Sequence, residues 1–191
     1  MIYTEKIQRA IKFAAKTHNH YQQQKRKGKE IPYISHPLTV GIILSLAGAA
    51  EDVMVAGILH DTIEDCTEEK KVTAEMLSER FGDNVAKLVM SVTEQDRGLP
   101  WDERKQAALE KVKDFSRESL LVKSADIISN VSEIIDDYAR YQDEVFERFS
   151  ASKEKTIGHQ LRMIKAITSS WPENPLASDL VYLAEELQKI N

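Results

Sequence analysis

The sequence has a single cysteine, no long uncharged run and no secretory N-terminus. Cys66 has no partner in the chain with which to form an internal disulfide. The longest run without a charged residue or a histidine, residues 37–50, is shorter than the ~20 residues that a transmembrane helix needs. Glu5, Lys6 and Arg9 stand where a secretory signal would have an apolar core. These features predict a cytoplasmic protein without a membrane span.

An excess of positive charge is also missing. The formal net charge is −5 at pH 7, whereas a general nucleic-acid binder normally carries a basic face, so we do not expect nucleic acid as a partner. Small anionic ligands are compatible with this net charge, because local clusters of charge affect their binding more than the total charge does. Apolar residues make up 42% of the chain and charged residues 30%, which is typical of a globular protein. With 191 residues, we expect one domain over residues 1–191.

Helical periodicity runs along the whole sequence, and we find neither a convincing period-two strand nor an internal repeat. Near the N-terminus, Ile7, Ala10 and Ala14 follow the three-and-four spacing of an amphipathic helix. Pro37 favours the start of another helix, and Gly48 favours its end. The predicted fold class is therefore all-α, a single-domain helical bundle. The predicted helices cover residues 4–20, 37–48, 52–64, 74–82, 83–93, 101–115, 119–138, 142–169 and 176–189.

One apolar segment ends in a cluster of titratable side chains. The stretch VAGILHDTIEDC, residues 55–66, finishes with His60, Asp61, Glu64 and Asp65. Burying a charged group costs several kcal/mol unless the group is paired or bound to a metal. Residues four positions apart share a face of a helix, so these four side chains are expected to form two adjacent columns.

A second apolar segment, SLLVKSADIISNVSEII, also carries inward-facing polar groups, Asp126 and Asn130, four residues apart. The histidine at position 36 directly precedes a proline, which places it at the leading edge of a helix. Together these segments supply two imidazoles and two carboxylates. Such a set without thiolate suits Mn²⁺, Fe²⁺ or Mg²⁺, with Zn²⁺ as a further candidate. Four ligands around an octahedral ion leave two places for water and substrate, a catalytic arrangement. The candidate ligands are His36, His60, Asp61 and Asp126.

The motifs RKGKEIPYISHP, LHDTIED, FGDNVAKLVMSVTE and LLVKSADIISN resemble a known family. They are similar to the HD superfamily of metal-dependent phosphohydrolases, and in particular to the hydrolase domain of Rel/SpoT alarmone enzymes and their small stand-alone relatives. The resemblance covers about residues 5–135, and further helices are predicted over about residues 141–191. It implies an HD-type fold and hydrolysis of the 3′-pyrophosphate of (p)ppGpp, which gives GDP or GTP and pyrophosphate.

The resemblance also implies a role for each residue of the motifs. One Mn²⁺ would lie at the four candidate ligands. Glu64 and Asp65 would handle water and protons during the reaction. Arg26 and Lys27 would lie along the base of the nucleotide, and Asn130 would contact its sugar. A small nucleotide is therefore the expected binding partner.

The motif DIISN departs from the family pattern Asp-Arg-Leu-His-Asn, because Ile127 and Ser129 replace an arginine and a histidine. No synthetase motif follows, so an alarmone enzyme of this sequence is expected only to degrade its substrate. Two other functions stay open. One is an HD phosphohydrolase acting on an adenosine alarmone, a nucleoside monophosphate or a nicotinamide dinucleotide phosphate, and the other is a non-catalytic nucleotide-binding HD module. Contacts of Arg104 and Lys105 with phosphates, and the oligomeric state, also stay open.

Overall fold

The computed structural model describes residues 3–21, 23–94 and 98–190. Within these ranges the chain forms nine α-helices and no strand, which confirms the predicted all-α class. None of these helices is long and apolar enough to cross a membrane. The helices are α1 (Glu5–Ala15), α2 (Ser35–Leu46), α3 (Glu51–Leu59), α4 (Ala74–Phe81), α5 (Asp83–Val92), α6 (Trp101–Lys111), α7 (Arg117–Tyr141), α8 (Lys153–Ser170) and α9 (Ala177–Ile190).

The chain divides into two compact units, Met1–Thr93 and Glu94–Asn191. The first unit contains α1 to α5, and the second contains α6 to α9. Each unit has its own set of buried apolar side chains. The single domain over residues 1–191 stays a prediction.

Threonine caps and one glycine set the helix ends of the first unit. Thr4 Oγ1 accepts a hydrogen bond from the Ile7 N–H at 3.3 Å, and Thr73 Oγ1 accepts one from the Met76 N–H at 3.3 Å. Such caps satisfy N–H groups that have no partner inside the helix. Gly82 lies between α4 and α5 with φ at +96°, a backbone conformation that residues with side chains rarely adopt. The two helices therefore follow each other across one residue.

Helices α2 and α3 pack closely because α3 has a glycine at their contact. A Cβ atom on Gly57 would lie 2.3 Å from Leu44 Cδ1 and 3.1 Å from Val40 Cγ1, so a larger residue would force a shift. The side chains of Leu44 and Val40 are fully buried at this contact. His36 lies in the first turn of α2, and His60 directly follows α3. Close helix packing thus positions both histidines.

The predicted helix over residues 52–64 is wrong beyond Leu59. The Thr62 N–H and Thr62 Oγ1 both donate to the Leu59 carbonyl oxygen, at 2.9 and 2.7 Å. His60 Nδ1 donates to the Gly57 carbonyl oxygen at 2.7 Å. These local hydrogen bonds compete with continuation of the helix. The two predicted columns of titratable groups consequently lie on a turn, residues 60–65, and not on a regular helix.

Three other predicted helices change type along their length. The helix expected over residues 101–115 passes into a 3₁₀-helix at Val112–Asp114. The helix expected over residues 4–20 passes into a π-helix at Lys16–Tyr21. The helix expected over residues 142–169 begins too early, because Gln142–Arg148 is a 3₁₀-helix and α8 starts only at Lys153. Ser152 caps α8, and its Oγ accepts from the Lys155 N–H at 3.3 Å.

The core of the second unit lies among α7, α8 and α9. Helix α7 is 25 residues long and contributes one apolar face to this core. The apolar faces of α8 and α9 contribute the rest, with spacing typical of amphipathic helices. The core side chains that are almost completely buried are Val131, Ile157, Met163, Ile167, Leu180 and Leu187.

One buried histidine of the second unit is uncharged at neutral pH. The ring of His159 contacts Trp101 edge-on, with the ring centroids 5.9 Å apart. The pKa of His159 is lowered from 6.5 to about 4, first by burial and then by three nearby cations, Lys105, Lys123 and Arg162. The folded chain therefore binds a proton at His159 less readily than the unfolded chain does.

We expect the free energy of unfolding to decrease as the pH falls from 6.5 to about 4, because only the unfolded His159 takes up a proton readily in this range. The contribution is complete above pH 6.5 and amounts to up to about 3 kcal/mol. Urea unfolding at pH 7 and pH 4.5 measures it. His159→Phe keeps an aromatic ring against Trp101 and should reduce the pH dependence. An equal pH dependence in the variant would contradict this role.

Candidate metal centre

Three potential metal-ligand atoms lie close together in the first unit. His36 Nε2 and His60 Nε2 are 3.3 Å apart, and Asp61 Oδ2 lies 3.1 Å from His60 Nε2 and 3.6 Å from His36 Nε2. Both histidines are buried, and the Asp61 side chain is largely buried. Donor atoms that bind one ion at about 2.1 Å and at right angles lie about 3 Å apart. The three atoms therefore fit around one divalent ion.

The hydrogen bond of His60 determines which ring nitrogen can bind a metal. His60 Nδ1 lies 2.7 Å from the Gly57 carbonyl oxygen, which can only accept a hydrogen bond. Nδ1 therefore carries the hydrogen, and in the neutral ring Nε2 presents its lone pair towards His36 and Asp61. Metal-binding histidines typically donate their second ring N–H to a carbonyl or carboxylate in this way.

Tyr33 orients the Asp61 carboxylate. Its hydroxyl donates to Asp61 Oδ2, and its ring lies 5.8 Å from the ring of His36 and 5.0 Å from the ring of His18, measured between centroids. Burial raises the pKa of Tyr33, and the negative charges of Asp61 and Asp65 raise it further. The phenol therefore keeps its proton and remains a hydrogen-bond donor to Asp61.

The predicted proton-transfer residues lie in the same turn as Asp61. The Asp65 N–H donates to the Asp61 carbonyl oxygen at 2.9 Å. Asp65 Oδ2 accepts a hydrogen bond from Gln24 Nε2 at 2.8 Å. Glu64 is half-buried in this turn. The structure thus brings Asp65 and Asp61 together through the backbone, although the segment is not a regular helix.

The predicted base-binding residues lie in a turn that contacts Tyr33. The Arg26 N–H donates to the Ile31 carbonyl oxygen at 2.9 Å, and the Lys29 N–H donates to the Arg26 carbonyl oxygen at 3.0 Å. The Arg26 guanidinium lies 5.5 Å from the centroid of the Tyr33 ring, within the range of a cation–π contact. Lys27 is exposed. The Arg26 side chain thus contacts the tyrosine that also holds Asp61.

In the second unit, one polar face of α7 carries two of the predicted site residues. Asp126 is buried, and its Oδ1 accepts from Asn130 Nδ2 at 2.6 Å. Asp126 Oδ2 accepts from Lys123 Nζ at 2.8 Å. Ile127, which departs from the family motif, is a buried residue of the hydrophobic core. The substitution at this position therefore adds apolar packing and leaves the Asp126 carboxylate hydrogen-bonded on both oxygens.

Arg104 and Lys105 pair with one carboxylate of the second unit. Arg104 Nη1 lies 2.5 Å from Glu94 Oε2, and Lys105 Nζ lies 2.7 Å from Glu94 Oε1. Burial acts to raise the pKa of Glu94, but the hydrogen bond from Lys105 and the neighbouring positive charges outweigh it, so the pKa is lowered. Both cations are therefore engaged with Glu94.

Three residues beside Asp61 and Asp65 have no role predicted from the sequence, namely His18, Gln24 and Tyr33. Tyr33 lies in the motif YISHP, three residues before His36, and this position could have indicated a role at the site. His18 and Gln24 lie in the stretch THNHYQQQ, where similar residues repeat. The composition of this stretch does not indicate which histidine or glutamine is buried.

Tyr33→Phe should weaken divalent metal binding by about 10-fold, the usual scale for losing a hydrogen bond that orients a metal ligand. The ring stays in place, but the Asp61 carboxylate loses the donor that orients it. Calorimetric titration of Mn²⁺ into the wild type and the variant measures the change. Tyr3→Phe is the matched control because Tyr3 is exposed. Equal affinities for the wild type and Tyr33→Phe would contradict the role of the hydroxyl.

Comparison with known proteins identifies similar chains. The family model described as "HD domain" matches residues 10–157. The guanosine-3′,5′-bis(diphosphate) 3′-pyrophosphohydrolase MESH1 of Xenopus tropicalis is 38% identical over 130 residues, which are 67% of this chain and 69% of that protein. The corresponding 3′-pyrophosphohydrolase of Aquifex aeolicus is 46% identical over 91 residues, 48% of this chain but only 12% of that protein.

Comparison of structures gives a similar fold. The solved structure of a metazoan ortholog of SpoT that hydrolyses ppGpp superimposes with a TM-score of 0.71 at 24% sequence identity. The superposition covers 98% of this chain and 94% of that one. The predicted HD-type fold is therefore confirmed.

Proposed function

Because the chain belongs to the HD domain family, we propose that it is a metal-dependent hydrolase that removes the 3′-pyrophosphate of guanosine alarmones. The products are GDP from ppGpp and GTP from pppGpp. The identity of 38% to a curated 3′-pyrophosphohydrolase, over two thirds of each chain, supports this substrate class. The proposal depends most on one observation, the close approach of His36 Nε2, His60 Nε2 and Asp61 Oδ2 in a buried setting.

Membership of the HD family implies a divalent ion, and we propose that the ion is Mn²⁺. The proposed ligands are His36, His60, Asp61 and Asp126. Two imidazoles and two carboxylates are a donor set that suits this metal. Asn130 and Lys123 orient the Asp126 carboxylate through their hydrogen bonds to it.

In the proposed reaction, a water oxygen bonds to the phosphorus next to the ribose 3′ oxygen. The bond between that phosphorus and the 3′ oxygen breaks, and pyrophosphate leaves as one unit. When bound, a divalent ion lowers the pKa of water and offsets negative charge on phosphate oxygens. Glu64 and Asp65 take the proton from the water and return a proton to the 3′ oxygen, the work of general acid–base residues.

The remaining predicted residues would orient the nucleotide. We assign Arg26 and Lys27 to the base, because a planar guanidinium can stack on a ring and an ammonium adds a mobile positive charge. We assign Asn130 to the sugar. A nucleotide held at these two places presents its 3′ substituent to the metal and leaves its 5′ phosphates unchanged.

The proposed ligand is a small nucleotide, and the proposed location is the cytoplasm. A formal charge of −5 agrees with a nucleotide ligand better than with a nucleic acid, because nucleic acids need an extended basic face. The single cysteine supports the location, because disulfide-bonded pairs are rare in cytosolic proteins.

The purified protein loaded with Mn²⁺ should convert ppGpp to GDP and pppGpp to GTP, with one intact pyrophosphate per turnover. The physical reason is the orientation described above, which exposes only the 3′ substituent to attack. Ion-exchange chromatography and ³¹P NMR identify the products. The same assay offers adenosine alarmones, nucleoside monophosphates and a nicotinamide dinucleotide phosphate as competing substrates.

Glu64→Gln is the control for this assay, because it keeps the size of the side chain and removes the proton acceptor. We expect its kcat to decrease by about 100-fold or more while Mn²⁺ binding is kept. Stepwise release of orthophosphate, or attack on the 5′ phosphates, would contradict the proposed orientation. Faster turnover of a competing nucleotide would keep HD chemistry but overturn the guanosine assignment.

A further inference from the structure

The side-chain amide of Gln24 lies between a predicted catalytic carboxylate and a buried histidine. Gln24 Nε2 donates to Asp65 Oδ2 at 2.8 Å. Gln24 Oε1 lies 2.9 Å from His18 Nδ1. An ionised carboxylate only accepts hydrogen bonds, so the nitrogen end of the amide must face Asp65. The oxygen end therefore faces His18, and His18 Nδ1 must carry a hydrogen.

Burial of His18 favours a neutral ring that carries a single hydrogen. Its side chain is completely buried, and burial is the main cause that lowers its pKa, so the ring is neutral at pH 7 and carries one hydrogen. That hydrogen is on Nδ1, where it bonds to Gln24. Among the described residues, His18 Nε2 has no hydrogen-bond partner. An unpaired buried nitrogen costs free energy, so apolar packing alone would favour another residue at this position.

The backbone around Gln24 is fixed at both ends. The Gln24 N–H donates to the His18 carbonyl oxygen at 2.9 Å, and the Tyr33 N–H donates to the Gln24 carbonyl oxygen at 2.8 Å. His18 lies within the π-helix Lys16–Tyr21, an irregularity that often marks functional sites. Gln23 adopts a left-handed conformation with φ at +49°, which is uncommon for residues other than glycine. These features orient the Gln24 side chain towards Asp65.

We propose that Gln24 is a positioning residue that orients Asp65 for proton transfer, and that His18 determines the direction of the Gln24 amide. The inference rests on the proposed function, because it assigns Asp65 a part in that reaction. Gln24 donates through a neutral group, so it orients the carboxylate without cancelling its charge. The hydrogen bond thereby fixes the direction in which the Asp65 carboxylate faces.

Gln24→Met tests the proposal, because methionine has a similar length but no N–H. We expect kcat for ppGpp to decrease by about 10-fold with KM changed less than about twofold, since the lost contact serves catalysis and not substrate binding. In the Asp65→Asn background the same substitution should change kcat less than about twofold. The reason is that two substitutions which act through the same group do not have additive effects. An equal decrease in both backgrounds would overturn the proposal.

A histidine pair provides a matched comparison. His18→Phe should lower kcat in the same direction as Gln24→Met, because the Gln24 amide can then rotate away from Asp65. His20→Phe should leave kcat unchanged, since His20 is exposed and two positions away. Equal losses of activity in the two histidine variants would contradict a specific role for His18.

¹⁵N NMR of histidine-labelled protein provides a readout that does not depend on activity. The wild type should show His18 protonated at Nδ1, and a ring protonated at Nε2 would overturn the proposal. A wild type that fails on guanosine alarmones but cleaves another nucleotide overturns only the proposed function, and the variants are then compared on that nucleotide. A wild type inactive on every nucleotide overturns both proposals.

Discussion

The hydrogen bond from His60 Nδ1 to the Gly57 carbonyl oxygen is the interaction on which the candidate metal centre depends. It lies at the end of α3, where the chain enters the turn that carries Asp61 beside the two histidines. It also fixes the hydrogen on Nδ1, which leaves Nε2 of the neutral ring with its lone pair towards His36. The glycine that supplies the carbonyl also lies where a Cβ atom would meet Leu44 of α2 at 2.3 Å. One residue therefore links helix packing to the orientation of a ligand.

Neutral donors bond to two carboxylates of the candidate site in the first unit. Tyr33 donates to Asp61, and Gln24 donates to Asp65. Partial burial of a carboxylate without hydrogen bonds would cost free energy. A lysine in place of the neutral donor would also supply a hydrogen bond, but its positive charge would compensate the charge of the carboxylate. A neutral donor bonds to a carboxylate oxygen without compensating its negative charge. The second unit uses a different arrangement, because Asp126 bonds to both an amide and an ammonium group.

Much of the fold follows from local sequence signals. The threonine cap and the glycine stop predict a helix over residues 74–82, and α4 spans Ala74–Phe81. The predicted end of α3 fails because side-chain hydrogen bonds from Thr62 and His60 compete for carbonyl oxygens, and hydrophobic periodicity contains no information on that competition. The predicted helix over residues 142–169 is wrong before Lys153 for a different reason. The composition of the 3₁₀-helix Gln142–Arg148 also suits an α-helix, so the sequence does not distinguish the two.

The candidate site, like the fold, is only partly predictable from the sequence. The ligand types and their apolar surroundings identify the His60–Asp61 pair and Asp126 as candidates from sequence alone. The residues that orient them are harder to predict, because an orienting role depends on direction and not on composition. His18 becomes inward-facing through the π-helix, and no pattern in the sequence predicts a π-helix at that position.

The central claim is that one divalent ion is bound by His36, His60, Asp61 and Asp126. Anomalous diffraction from crystals grown with Mn²⁺ tests it most directly, with data collected on both sides of the manganese absorption edge. The account predicts one anomalous peak within about 2.6 Å of a donor atom from each of the four residues. A peak more than about 4 Å from Asp126, or no peak beside the two histidines, would contradict it.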